Sequence, residues 1–119
     1  MLTKILAERI SVHAWTAQSV GRTRTHMEDS VFALTMDLFL PERPVTLGIY
    51  MVADGMGGHD NGEVASKIAI QITVSSLMQT LIDPLLQGKL MPSQQEVLAV
   101  LEAAFTRAQE QVLRNVSGG

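Results

Sequence analysis

A chain of 119 residues, 46% apolar and 18% charged, falls among soluble globular proteins and is long enough for one compact domain. A net charge of −3 supplies no basic face of the kind that nucleic acid or anionic lipid attracts, so neither is expected as a partner. The absence of cysteine excludes disulfides, thiolate zinc sites and a cysteine nucleophile, leaving oxygen and imidazole as metal ligands.

The opening segment, Met1 to Arg9, lacks the longer apolar core of a signal peptide, and no apolar run approaches the roughly 20 residues that span a bilayer. A cytoplasmic location without membrane contact is the expectation. The first β-favouring stretch is Ile10 to Ala17, with Val12, Trp15 and Thr16. Between it and the next, Gln18 to Asp29 carries too much charge and too many hydroxyls for a core, and reads as a loop holding functional groups over a sheet edge. Ser30 to Leu40 resumes the strand character with Val31, Phe32, Leu34, Leu38 and Phe39. Pro41 and Pro44 mark a connection, since each removes a ladder donor and biases the preceding residue away from helix. Val45 to Ala53 is almost uninterrupted apolar sequence, the pattern of a strand covered on both faces. It stops at Asp54-Gly55, ahead of a glycine-rich loop that runs to Gly62.

A helix is expected from about Glu63 to Leu86, capped by Asp60 or Asn61, with Ala65, Ile68, Ala69 and Ile72 as its buried stripe. After Gly88 and Pro92, Ser93 and Glu96 form a capping-box pattern. Val97, Leu101, Ala104, Phe105, Ala108 and Val112 then make the stripe of a second long helix. Strands followed by helices give an α+β class. A sheet of about three strands covered on one side leaves an open face and unpaired edges, so association through those edges, or membership of a larger molecule, is expected.

Two constellations carry chemistry. In Gly21 to Asp29, Arg22 and Arg24 precede the adjacent carboxylates Glu28 and Asp29. Arginine offers a planar fork for two phosphate oxygens, and carboxylate oxygens suit magnesium or manganese, directly or through water. The same residues fit a solvated turn with one arginine–carboxylate pair. In the second constellation, Val52 to His59, a buried strand delivers Asp54 at its end, where a fixed backbone makes it an economical metal anchor. Gly55 permits close backbone approach and offers its carbonyl oxygen as a further ligand. An ordinary strand-to-helix turn, with Asp54 bonded to local amides, fits this segment equally well. The glycine spacing matches neither a Walker loop, which needs Lys-Ser/Thr, nor a dinucleotide-binding fingerprint. His13, His26 and His59 lack compact zinc spacing and read as ordinary surface or core groups.

Taken together and in this order, Arg24-Thr25-His26-Met27-Glu28-Asp29, Val52-Ala53-Asp54-Gly55-Met56-Gly57-Gly58 and Gly62-Glu63-Val64-Ala65-Ser66 resemble the first two motifs of the protein phosphatase 2C family in its bacterial form. The likeness covers about residues 10 to 116 and only the first portion of the family's longer catalytic domain. On this reading, residues 1–119 are the amino-terminal portion of such a domain. The resemblance implies an α/β sandwich of two antiparallel sheets flanked by two long helices, incomplete in this chain. It also implies two Mg2+ or Mn2+ ions and hydrolysis of phosphoserine and phosphothreonine in a phosphoprotein substrate. By the same resemblance Asp54 bridges both metals, Gly55 lends its carbonyl oxygen, Glu28 and Asp29 bind or orient metal-coordinated waters, and Arg24 holds the substrate phosphate.

Such a pair of cations activates water and neutralises phosphate oxygens during in-line attack, with no covalent phosphoenzyme. Met56 departs from the family members that carry a histidine after the Asp-Gly pair, so protonation of the leaving group falls to water or another residue. No Asp-Gly pair follows Asp83, and Glu96, Glu102 and Glu110 belong to the second helix, so the chain is expected to hold only part of a binuclear site. The competing expectation is a non-catalytic module of the same architecture that binds phosphate or one metal without hydrolysis.

Overall fold

The computed structural model describes Ala14, Thr16 and residues 29–55 and 60–117. Strand β1 spans Ser30–Phe39 and strand β2 spans Pro44–Ala53. They pair antiparallel in a two-stranded sheet, in a register running from Ser30 opposite Ala53 to Phe39 opposite Pro44. The connection across 40–43 is short because Pro41 and Pro44 limit the backbone on either side of Glu42 and Arg43. Of the strand expected over Ile10 to Ala17, Ala14 and Thr16 are exposed and lie in no strand, and the rest falls outside the described residues.

The register separates the sheet into unlike faces. Ser30, Phe32, Leu34, Met36 and Leu38 share one face with Val45, Leu47, Ile49, Met51 and Ala53, and this face is buried or half-buried. On the other face Phe39, Tyr50 and Val52 are exposed, Val52 by 77%. The continuous apolar run of β2 is therefore not covered on both sides here, because among the described residues the helices pack against one side only. Part of the open face covers itself. The Tyr50 ring lies over Gly48, where an added Cβ would come within 2.5 Å of it, and the Tyr50 hydroxyl meets Thr35 Oγ1 at 2.6 Å on the facing strand. An aromatic ring over a strand glycine replaces the packing that the missing side chain cannot provide.

Helix α1 spans Asp60–Leu77 and passes through a π-helical turn, Met78–Ile82, into the short helix α2, Asp83–Leu86. Helix α1 begins about three residues before the expected start, so Asp60 and Asn61 lie inside the helix rather than capping it. Its buried side chains are Ser66, Ile70, Thr73, Ser76 and Leu77, whereas Ala65, Ile68, Ala69 and Ile72 are only half-buried. The stripe shifts because the partner helix selects its seam by close packing, and hydroxyl groups are small enough to enter it. Gln87 and Gly88 end this run in a Schellman arrangement. Lys89 N–H donates to the Pro84 carbonyl, Gly88 N–H donates to the Leu85 carbonyl, and Gly88 takes φ +88°.

Helix α3 spans Gln94–Ser117, and its first turn is capped by Ser93, whose Oγ accepts from Glu96 N–H at 3.2 Å. Ala104 and Ala108 press against α1, letting the two helices approach closely, while Val97, Leu101 and Val112 flank the contact. Phe105, expected in this stripe, is 54% exposed, since the wide apolar arc of α3 extends past the part that α1 covers. The segment Gly62–Leu86 is long and apolar enough to cross a membrane by length and composition alone. Its polar residues interrupt any continuous apolar run, and its deepest side chains face protein. The class is α+β: one antiparallel hairpin and a helical layer. A second sheet is not among the described residues.

Candidate functional site

The hairpin delivers its candidate residues to one end. β1 begins at Ser30 and β2 finishes at Ala53, its register partner, so Asp29 and Asp54 flank the last pair of the ladder. Asp29 is half-buried, Asp54 is exposed and Gly55 is buried. A hydrogen bond crosses this end, with Gly55 N–H donating to Asp29 Oδ1 at 3.3 Å. Residues 26 apart in sequence are thereby joined through the glycine that follows the strand.

The first part of α1 is tied to the same end. Ser66 Oγ donates to the Glu63 carbonyl at 3.1 Å and lies 2.9 Å from Ser30 Oγ. A hydroxyl has one proton, so while Ser66 gives its own to Glu63, Ser30 is the donor of the second bond. On the outer surface of the same turns, Lys67 Nζ donates to Glu63 Oε1 at 2.9 Å.

Of the residues singled out in the sequence, the structure brings Asp29, Asp54 and Gly55 together. Arg24, Glu28, His13, His26, Met56, Gly57, Gly58 and His59 lie outside the described residues. Among the described residues no group of three His, Cys, Asp or Glu side chains forms a cluster able to hold a metal ion. The oxygen donors present still fit a hard divalent cation in kind: two carboxylates at one strand end beside a buried glycine. They are a partial set in number.

Ser30 and Ser66 were not picked out as functional by sequence reasoning. A signal was available for one of them, since Ser66 interrupts the apolar positions of a helix that otherwise buries Ile70 and Leu77, and a buried hydroxyl needs a partner.

A recess of about 240 Å³ lies between the last turns of α1 with the π-helical turn and α3, lined by Ser76, Thr80, Ala99, Val100, Ala103, Ala104 and Arg107. Arg107 donates from Nη1 to Ser76 Oγ at 3.2 Å, and Thr80 Oγ1 donates to the Ser76 carbonyl at 2.6 Å. Along the helix axis Ser76 stands about 15 Å beyond Ser66, so the recess is separate from the carboxylate end. Comparison of the chain with protein-family models, curated proteins and solved structures finds no match.

Proposed function

We propose that this chain is the amino-terminal part of a metal-dependent protein phosphatase of the 2C type, acting on phosphoserine and phosphothreonine in proteins. The observation that supports the reading most directly is the convergence of Asp29 and Asp54 at one end of the hairpin, joined through the Gly55 amide. Carboxylate oxygens at one strand end are the ligand type that a hard divalent cation takes. In this reading the open sheet face bearing Phe39, Tyr50 and Val52 receives a second antiparallel sheet, completing an α/β sandwich.

Asp54, Asp29, Glu28 and the Gly55 carbonyl would hold Mg2+ or Mn2+, which supplies Lewis acidity and neutralises phosphate charge. The chain's own contribution is to fix these oxygens on a strand end and to hold the substrate phosphate with the Arg24 guanidinium. Lysine cannot replace that role fully, because it keeps the charge and loses the two-pronged geometry.

The test is manganese-dependent release of phosphate from a phosphothreonine peptide, measured on the longest expressed chain that contains residues 1–119. Turnover that falls in Arg24→Ala and recovers only partly in Arg24→Lys, with Mn2+ affinity unchanged in both, supports the assignment. Equal loss of Mn2+ affinity in the two variants would make Arg24 structural. Mn2+ binding without hydrolysis would favour the non-catalytic module.

A further inference from the structure

The hydrogen bonds around Ser66 form a path with a definite destination. Ser66 is 2% exposed and anchored to its own helix through the Glu63 carbonyl, so its oxygen has a fixed place. That oxygen receives Ser30, the first residue of β1. The residue before Ser30 is Asp29, whose carboxylate accepts the Gly55 amide beside Asp54. Three elements that share no covalent continuity at this point are thus referenced to one another: the first turns of α1, the start of β1 and the end of β2. Remove the link from helix to β1 and Ser30, the first residue of a two-stranded sheet with no further strand among the described residues, is no longer referenced to α1, so the backbone that carries Asp29 loses one of the constraints on its place.

We infer that Ser66 is a positioning residue for the candidate metal site, acting through Ser30 to hold Asp29 in register with Gly55 and Asp54. The cation assignment rests on the function proposed above, whereas the positioning of Asp29 stands on the hydrogen bonds alone. Partners of metal ligands that do not touch the metal alter affinity because a carboxylate free to wander loses part of its binding in becoming ordered.

The experiment therefore has a metal-free and a metal-bound arm, both on the longest expressed chain that contains residues 1–119. In the metal-free arm, the Gly55 amide is followed by NMR. Ser66→Ala and Ser30→Ala should each move its resonance and speed its hydrogen exchange, and Ser30→Thr, which keeps the hydroxyl, should leave both near the parent values. In the second arm, free Mn2+ is measured by EPR. Each alanine variant should weaken Mn2+ binding by about tenfold, the lower end of what outer partners of metal ligands contribute. The double variant should be no weaker than either single one, because both substitutions break the same link.

A Gly55 amide unchanged by Ser66→Ala, with Mn2+ affinity also unchanged, overturns the inference. Ser30→Ala decides the matter in the same way should Ser66→Ala fail to fold, since Ser30 is only half-buried and its partner keeps the bond to Glu63. The underlying metal reading fails separately. If Asp54→Asn leaves Mn2+ affinity intact while Ser66→Ala still releases the Gly55 amide, the positioning of Asp29 holds and the cation assignment falls.

Discussion

The two ends of α1 are held by different forces. At its start the helix meets the hairpin through Ser66, Ser30, Asp29 and the Gly55 amide, a set of directional bonds beside the half-buried apolar face of the sheet. Beyond Thr73 it meets α3 through Leu77, Ala104 and Ala108 and continues to the buried Ile82 and Leu85, a contact made mainly by packing. Hydrogen bonds fix orientation while adding only about 1 kcal/mol each, and burial of aliphatic groups adds several kcal/mol without fixing orientation. The packed end supplies stability, and the polar end sets the geometry on which a cation or phosphate would depend.

Substitutions should separate the two ends. The largest expected effect is at Ile82, which is 1% exposed. Ile82→Ala should destabilise the chain by about 2–5 kcal/mol, through lost burial and the cavity left behind. Urea unfolding measures it, and Mn2+ affinity of the molecules that remain folded should be unchanged. Asp54→Asn should do the reverse. Mn2+ affinity should fall by at least about tenfold, while the unfolding midpoint stays close to the parent value because Asp54 is exposed. An equal stability loss in both variants would erase the distinction between the ends.

Two smaller effects sharpen it. Gly88 holds φ +88° with nothing near its missing Cβ, so Gly88→Ala should cost about 1 kcal/mol through backbone strain alone. Thermal unfolding should show the loss with metal binding untouched. Smallest is Lys67→Ala, which removes the exposed pair with Glu63 and should cost about 0.3–0.5 kcal/mol, less at high salt. A larger, salt-insensitive loss would mean that the first turns of α1 rely on more than the Ser66 link.

The sequence by itself determined the local elements. β-favouring residues and an apolar run marked β1 and β2 to within a residue, and the side-chain period of two leaves little freedom in register once a short proline-bounded connection joins them. Ser93 announced its cap because that signal lies within one turn. Asp29, Asp54 and Gly55 were legible as candidates from residue type and position. Their closeness was not, because it depends on pairing Ser30 with Ala53 across the hairpin. The stripe on α1 was misplaced, with Ser66 and Thr73 deeper than Ala65 and Ile68, and Phe105 stands in the open. Periodicity reports which residues are apolar but cannot say which arc of a wide apolar helix its neighbour will cover. Only tertiary packing chooses that arc, and the same choice placed the Ser66 hydroxyl against Ser30, a contact between residues 36 apart that no local pattern encodes.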